Sequence, residues 1–384
     1  MKTTSNRPRR IRLMKLKREA FTLLWIFVAI VLGSVAATHG TTVGAESTKP
    51  ASPADPLNVL GNAACIKCHA SEHSVWSNTP HARTFDELHR RPEAATIAKK
   101  LGVASVKHGE RCVGCHYTQK PVGDDSTGDL QTYVTTPSAS AGNFELEAIA
   151  GISCESCHGA ARAWLETHHN YGGPQVTRET ESAAHRADRI ARSVALGMRN
   201  PHNVYLVAQS CYRCHTTGDE ELVNVGGHPA GSLDFEIVSW SQGTVHHNFV
   251  QSDGKQNQAS SPNRLRFLFV AGMIADTEAA LRAVSTATVK AEYALTVAKR
   301  AARAGARLKS VAAKVNDARL NQAIEIFDSV KIKLNNATQL EAAADELARL
   351  GYEFANAEND PNEQALRESL KSLDKFIPAE GKWK

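Results

Sequence analysis

Cys65-Ile-Lys-Cys68-His69, Cys112-Val-Gly-Cys115-His116, Cys154-Glu-Ser-Cys157-His158 and Cys211-Tyr-Arg-Cys214-His215 are four copies of one five-residue unit. Together they use all 8 cysteines of the 384-residue chain. With 16 histidines in the chain, a histidine directly after all four pairs would arise by chance roughly 3 times in a million. The unit is therefore Cys-x-x-Cys-His, the attachment site of a c-type haem. Its two thiols add to the two vinyl groups of the porphyrin. The two-residue spacer brings both sulfurs to one porphyrin edge, and the adjoining histidine reaches the iron. Two Cys-x-x-Cys pairs could instead hold a tetrahedral zinc, but zinc gives no reason for the histidines. Four redox dithiols without a βαβ pattern would be unusual.

Export agrees with this reading. Residues 1–19 carry eight basic side chains against Glu19, a net +7, and the apolar run Phe21–Ala37 follows. That order marks a signal peptide or N-terminal membrane anchor over 1–45, with small residues at Val35-Ala36-Ala37 and Val43-Gly44-Ala45 for cleavage. Either outcome places the remainder outside the cytoplasm, in the periplasm or its equivalent. The formal charge of +5 becomes −2 once that stretch is set aside, so no basic nucleic-acid surface is indicated.

Histidine at His69, His116, His158 and His215 supplies one axial ligand per iron. Beyond the leader only Met198 and Met273 remain, so methionine does not cap most irons and mainly His/His ligation is expected, with the lower potentials it brings. Eleven further histidines compete for at most four distal positions. His108 precedes Cys112 by four residues and reads more readily as a surface residue, since a ligand so close must bend the chain back over the ring. His73 lies four after His69 and reads more readily as a packing neighbour than as a ligand to another haem, since that spacing alone specifies little.

The segment 65–82, CIKCHASEHSVWSNTPHA, resembles the opening of the tetrahaem cytochrome c-554 family, as do CVGCH and GISCESCHGAAR. The similarity runs over about residues 60–250. It implies four c-type haems and distal ligation by His81 and His168. It also implies a third distal histidine after the fourth motif, for which His247 and then His228 are the candidates between strand-like flanks (LVNV, FEIVSW). The family's second haem is five-coordinate, which would leave the iron of His116 open. The resemblance further implies an electron carrier. A hydroxylamine-oxidoreductase-like enzyme would be its donor, and a membrane quinone or cytochrome its acceptor. The rival is a multihaem reductase of a small nitrogen or sulfur compound working at the His116 haem. Arg162 matches a family arginine and suits a haem propionate.

The expected architecture is mainly α with long loops and little sheet. A linker over 46–60 leads to a tetrahaem cytochrome c domain over 61–250. A polar linker over 251–263 then precedes an antiparallel helical bundle over 264–384. From Leu265 onward there is neither Cys nor His. Ser261-Pro262 starts the first helix and a long alanine- and basic-rich helix follows to about Val315. Leu320, Ile324, Phe327 and Leu334 mark the next. Thr338 with Glu341 forms a capping box ahead of Leu340, Ala344, Leu347 and Gly351. Asp360-Pro361-x-Glu363 starts the last. This region carries no evident chemistry and offers a surface for self-association or docking.

Overall fold

The computed structural model describes residues 50–123 and 145–384. The expected signal or anchor over 1–45 lies outside them, and no helix among the described residues is long and apolar enough to cross a membrane. The described residues belong to one compact unit and are mainly helical.

The first half is built from short helices that carry the motifs. These are α1 (Asn62–Ile66), α2 (Ala70–Trp76), α3 (Pro80–Glu87), α4 (Pro92–Lys100), α5 (Glu110–His116), α6 (Cys154–His158), α7 (Leu165–His168), α8 (Ala183–Ala195) and α9 (Val204–His215). Each motif lies on or runs out of one helical turn, as in His69 N–H to Cys65 O at 2.9 Å. A turn sets the two cysteines on one face, three residues apart, with the histidine beside them. The described sheet is one antiparallel pair, β1 (Thr118–Pro121) with β2 (Leu146–Ala150), registered Thr118 to Ala150 and Pro121 to Leu146.

The two stretches expected as strands are helices. LVNV falls in α10 (Glu220–Asn224) and at its end, and FEIVSW falls largely in α11 (Ile237–Ser241). Their branched and aromatic residues favour strands, but each run sits behind an N-cap. Asp219 accepts from Leu222 N at 2.9 Å, and Glu236 accepts from Val238 N and Ser239 N at 3.0 and 2.8 Å. Satisfying the first-turn donors decides the helix.

The second half comprises α12 (Pro262–Ser285), α13 (Glu292–Ala312), α14 (Ala318–Ser329), α15 (Ala337–Asn356) and α16 (Gln364–Leu370). Ser261 caps α12 through Arg264 N at 3.2 Å with Pro262 at the first turn, as expected. The Thr338 capping box does not form. The helix begins two residues earlier, behind Asn336, so Thr338 lies inside it and Glu341 accepts from Ser285 Oγ instead. The last helix starts at Gln364, while Asp360 holds Asn362 N at 2.8 Å.

The segment 251–263 does not divide the interior into separate cores. Tyr205 and Tyr212 of α9, with Phe235 and Ile237, belong to the same buried cluster as Phe267, Ile274, Leu308, Leu347 and Phe354. The helix ending in the fourth motif is thus packed directly on α12 and α15. The approach is close at Gly351, where an added Cβ would stand 2.2 Å from Tyr205 Cε2. Gly351→Ala is expected to cost about 1–3 kcal/mol, because Tyr205 is fully buried and cannot retreat. The helix-propensity gain of about 1 kcal/mol does not offset this. A lower thermal midpoint of the haem-loaded protein checks it; an unchanged midpoint refutes it.

Candidate haem sites

The four motifs meet at the middle of the first half. The thiols of Cys65 and Cys154 are close neighbours, as are those of Cys115 and Cys214. None of the cysteines is in a disulfide. The first motif is tied to the third by Glu155, a fully buried side chain in the spacer of the third. Its Oε1 accepts from Leu60 N at 2.9 Å and Ala161 N at 2.8 Å, and its Oε2 from Gly61 N at 2.8 Å. The fourth motif reaches the second through Arg213, which donates to Gly114 O at 2.6 Å.

Each motif histidine faces one histidine from elsewhere in the chain. The ring centres are 6.4 Å apart for His69 and His168, 6.3 Å for His81 and His215, 6.2 Å for His116 and His228, and 6.2 Å for His158 and His247. Two imidazole–metal bonds of about 2.0 Å with two ring radii of about 1.2 Å span roughly 6.4 Å. The spacing fits one iron between each pair.

The hydrogen bonds orient the rings in the same sense. Nδ1 of His158 bonds Arg199 O at 3.3 Å, that of His228 bonds Pro229 O at 2.8 Å, and that of His247 bonds Val245 O at 2.6 Å. His168 Nδ1 bonds Leu165 O. A carbonyl only accepts, so each Nδ1 carries the proton and each Nε2 presents a lone pair, the arrangement typical of metal-bound histidine. Burial holds the imidazoles of His116, His158, His168 and His215 down at about 4 and lowers His81 as well. They therefore stay neutral, the form that binds iron.

Local structure explains how the partners arrive. Thr79 caps α3 and Pro80 occupies its first turn, placing His81 at the helix start. Trp76 Nε1 donates to Ile152 O at 2.7 Å, and Ile152 N donates to His81 O at 3.1 Å. Gly151 is required there, since a Cβ would lie 2.4 Å from His81 O. The expected candidates His81, His168, His247 and His228 all lie opposite motif histidines. His73 instead lies against Trp76, ring centres 5.2 Å apart, and His108 is exposed before α5. Neither faces a motif histidine among the described ring contacts. His246, next to His247, has its Nε2 engaged by Gln258 O at 2.8 Å. Met273 is buried in the helical core and Met198 packs against the cluster of Trp164 and Leu165. Arg162 donates from Nε to Leu57 O at 3.1 Å. Sequence reasoning missed Glu155, because nothing local to a motif spacer signals a buried clamp.

These are sites of the c-type cytochrome kind, with free paired thiols beside facing imidazoles. A family profile described as cytochrome c554 and c-prime matches residues 64–159, which include the first three motifs. Cytochrome c-554 of Nitrosomonas europaea is 27% identical over 148 residues, covering 38% of this chain and 54% of that protein. The chain thus spans about half the length of this curated relative, and it resembles the cytochrome c-554 family over that stretch. The resemblance carries covalently bound haem c with it. No solved structure matches the chain.

Proposed function

We propose that the protein is an exported tetrahaem c-type cytochrome that relays electrons between redox partners through four bis-histidine haems. Covalent attachment would use Cys65 and Cys68, Cys112 and Cys115, Cys154 and Cys157, and Cys211 and Cys214. His69, His116, His158 and His215 would be the proximal ligands, with His168, His228, His247 and His81 opposite them in that order. The observation that carries the reading is the single facing histidine at 6.2 to 6.4 Å from each motif histidine. The bound haems supply one-electron chemistry. The protein's role is to hold each iron between two neutral imidazoles and to exclude other ligands.

The rival reductase needs an open iron at His116. His228 stands on that side, which favours the wire over the catalyst and departs from the five-coordinate second haem of the family. A hydroxylamine-oxidoreductase-like donor and a membrane quinone or cytochrome acceptor remain the partners suggested by resemblance.

Mass and ligand binding test this. The mass of the purified protein should exceed the polypeptide by four equal haem increments; any other number ends the tetrahaem reading. The reduced protein should bind no carbon monoxide, whereas His81→Ala, His168→Ala, His228→Ala and His247→Ala should each open one iron and His246→Ala none. Carbon monoxide uptake by the parent protein would restore the reductase.

A further inference from the structure

The His116 haem is the one whose ligation separates a wire from a catalyst, and its distal side is held in an unusual way. His228 sits on a short, partly exposed stretch after α10, outside the residues matched by the family profile. Among the described residues its hydrogen bonds are from its N–H to Leu222 O at 3.1 Å and from Nδ1 to Pro229 O at 2.8 Å. The stretch itself is fastened to the C-terminal helices on both sides. Before His228, Glu220 accepts from Thr288 Oγ1 at 2.6 Å, Thr288 N at 3.0 Å and Val289 N at 3.2 Å, all in the connection between α12 and α13. Asn224 Oδ1 accepts from Tyr293 N at 3.0 Å on the first turn of α13. After His228, Arg300 of α13 donates to Ser232 O at 2.8 Å. Tyr293 is rigid in turn, its buried hydroxyl donating to Ala283 O at 2.7 Å. The proximal side joins the same assembly, because Arg111, next to Cys112, forks onto both oxygens of Asp219 at 2.6 Å.

We propose that Glu220 and Asn224, engaging the α12–α13 connection, are positioning residues that hold His228 on the iron of His116. The C-terminal helices, which bear no haem ligand, thereby set the spin state of that iron. Loosening them turns a closed electron-relay haem into one that accepts an external diatomic ligand. This rests on the bis-histidine reading above. It adds that the sixth ligand is kept in place by contacts far from the haem.

The test uses the full haem-loaded chain and three variants: Glu220→Ala with Asn224→Ala, His228→Ala, and Arg349→Ala as a control on an exposed face of α15. Carbon monoxide uptake by the reduced protein and the high-spin signal in electron paramagnetic resonance are read, with the other haems as an internal check on folding. His228→Ala should take up one carbon monoxide per chain. The double variant should take up a fraction of one, several-fold above the parent, with the three other haems still low-spin. Glu220→Gln, which keeps one acceptor oxygen, should fall between parent and double variant. The control should match the parent. If His228→Ala opens an iron while the double variant stays closed, the positioning role is wrong and the ligation stands. If His228→Ala itself stays closed, the ligation reading falls and takes this inference with it. If the double variant opens more than one haem, the contacts are general scaffolding and the inference fails.

Discussion

Glu155→Ala is expected to lower the stability of the haem-loaded protein by about 3–5 kcal/mol, because it strips the acceptor from three buried N–H groups at once. Each stranded donor costs on the order of 1–3 kcal/mol when no water replaces the acceptor, and neighbouring losses do not add fully. Leu60 and Ala161 are completely buried, and Glu155 itself is 1% exposed, so little water reaches the gap. The loss is also directional. Leu60 and Gly61 lead into α1 and the first motif, whereas Ala161 follows the third. The carboxylate therefore keeps the Cys65 and Cys154 edges together. Glu155→Gln retains one oxygen and replaces the other with a donor that faces N–H groups, so it should recover only some of the stability. Thermal unfolding followed by circular dichroism checks the magnitude. Hydrogen exchange at the amides of Leu60, Gly61 and Ala161 checks the cause. A full-stability Ala variant, or one whose three amides stay protected, would show that the clamp contributes nothing.

What the sequence made legible was local. Cys-x-x-Cys-His spans one helical turn, so its chemistry is readable without the fold. The C-terminal helices were readable because Leu340, Ala344, Leu347 and Gly351, and later Leu366, Leu370 and Leu373, repeat at helical spacing and are buried as that spacing implies. The pairing of ligands was not readable, because it is non-local. His81 follows the first motif yet faces His215 of the fourth, and His168 follows the third yet faces His69 of the first. Choosing His247 over His246 depends on which ring nitrogen a backbone carbonyl occupies, and composition carries no trace of that. The strand-like appearance of LVNV and FEIVSW misled because branched residues advertise a strand, whereas Asp219 and Glu236 just ahead of them were the decisive caps. The union of the two halves has a sequence signal of its own. Val204-Tyr-Leu-Val-Ala directly before the fourth motif is too apolar for a helix facing solvent, and it is the face that packs on α12 and α15.

Arg300→Met is expected to lower stability by about 3–5 kcal/mol by leaving a buried carboxylate without its partner. Arg300 and Asp276 are 3% and 6% exposed, and Arg300 Nε donates to Asp276 Oδ1 at 2.9 Å. Burial pushes the Asp276 carboxyl upward while the neighbouring guanidinium groups pull it back. Arg307 lies 3.8 Å from the other carboxylate oxygen, too far to take over the hydrogen bond. The same guanidinium donates to Ser232 O at 2.8 Å and His215 O at 3.3 Å, so its removal also weakens the hold on two backbone carbonyls around the fourth motif. The effect should therefore be double. Thermal stability falls, and the haem attached at Cys211 and Cys214 becomes the first to change its spectrum on warming. Asp276→Asn combined with Arg300→Met removes both charges and should return much of the stability, because the cost of the single change is the unpaired ion. The carbonyls of His215 and Ser232 still lack the guanidinium and keep only the longer backbone bonds from Ser232 N at 3.3 Å and Phe235 N at 3.4 Å, so the spectral sensitivity of the fourth haem should persist. A double variant no more stable than Arg300→Met would show that packing of the long side chain against Tyr212, rather than charge pairing, carries the contribution.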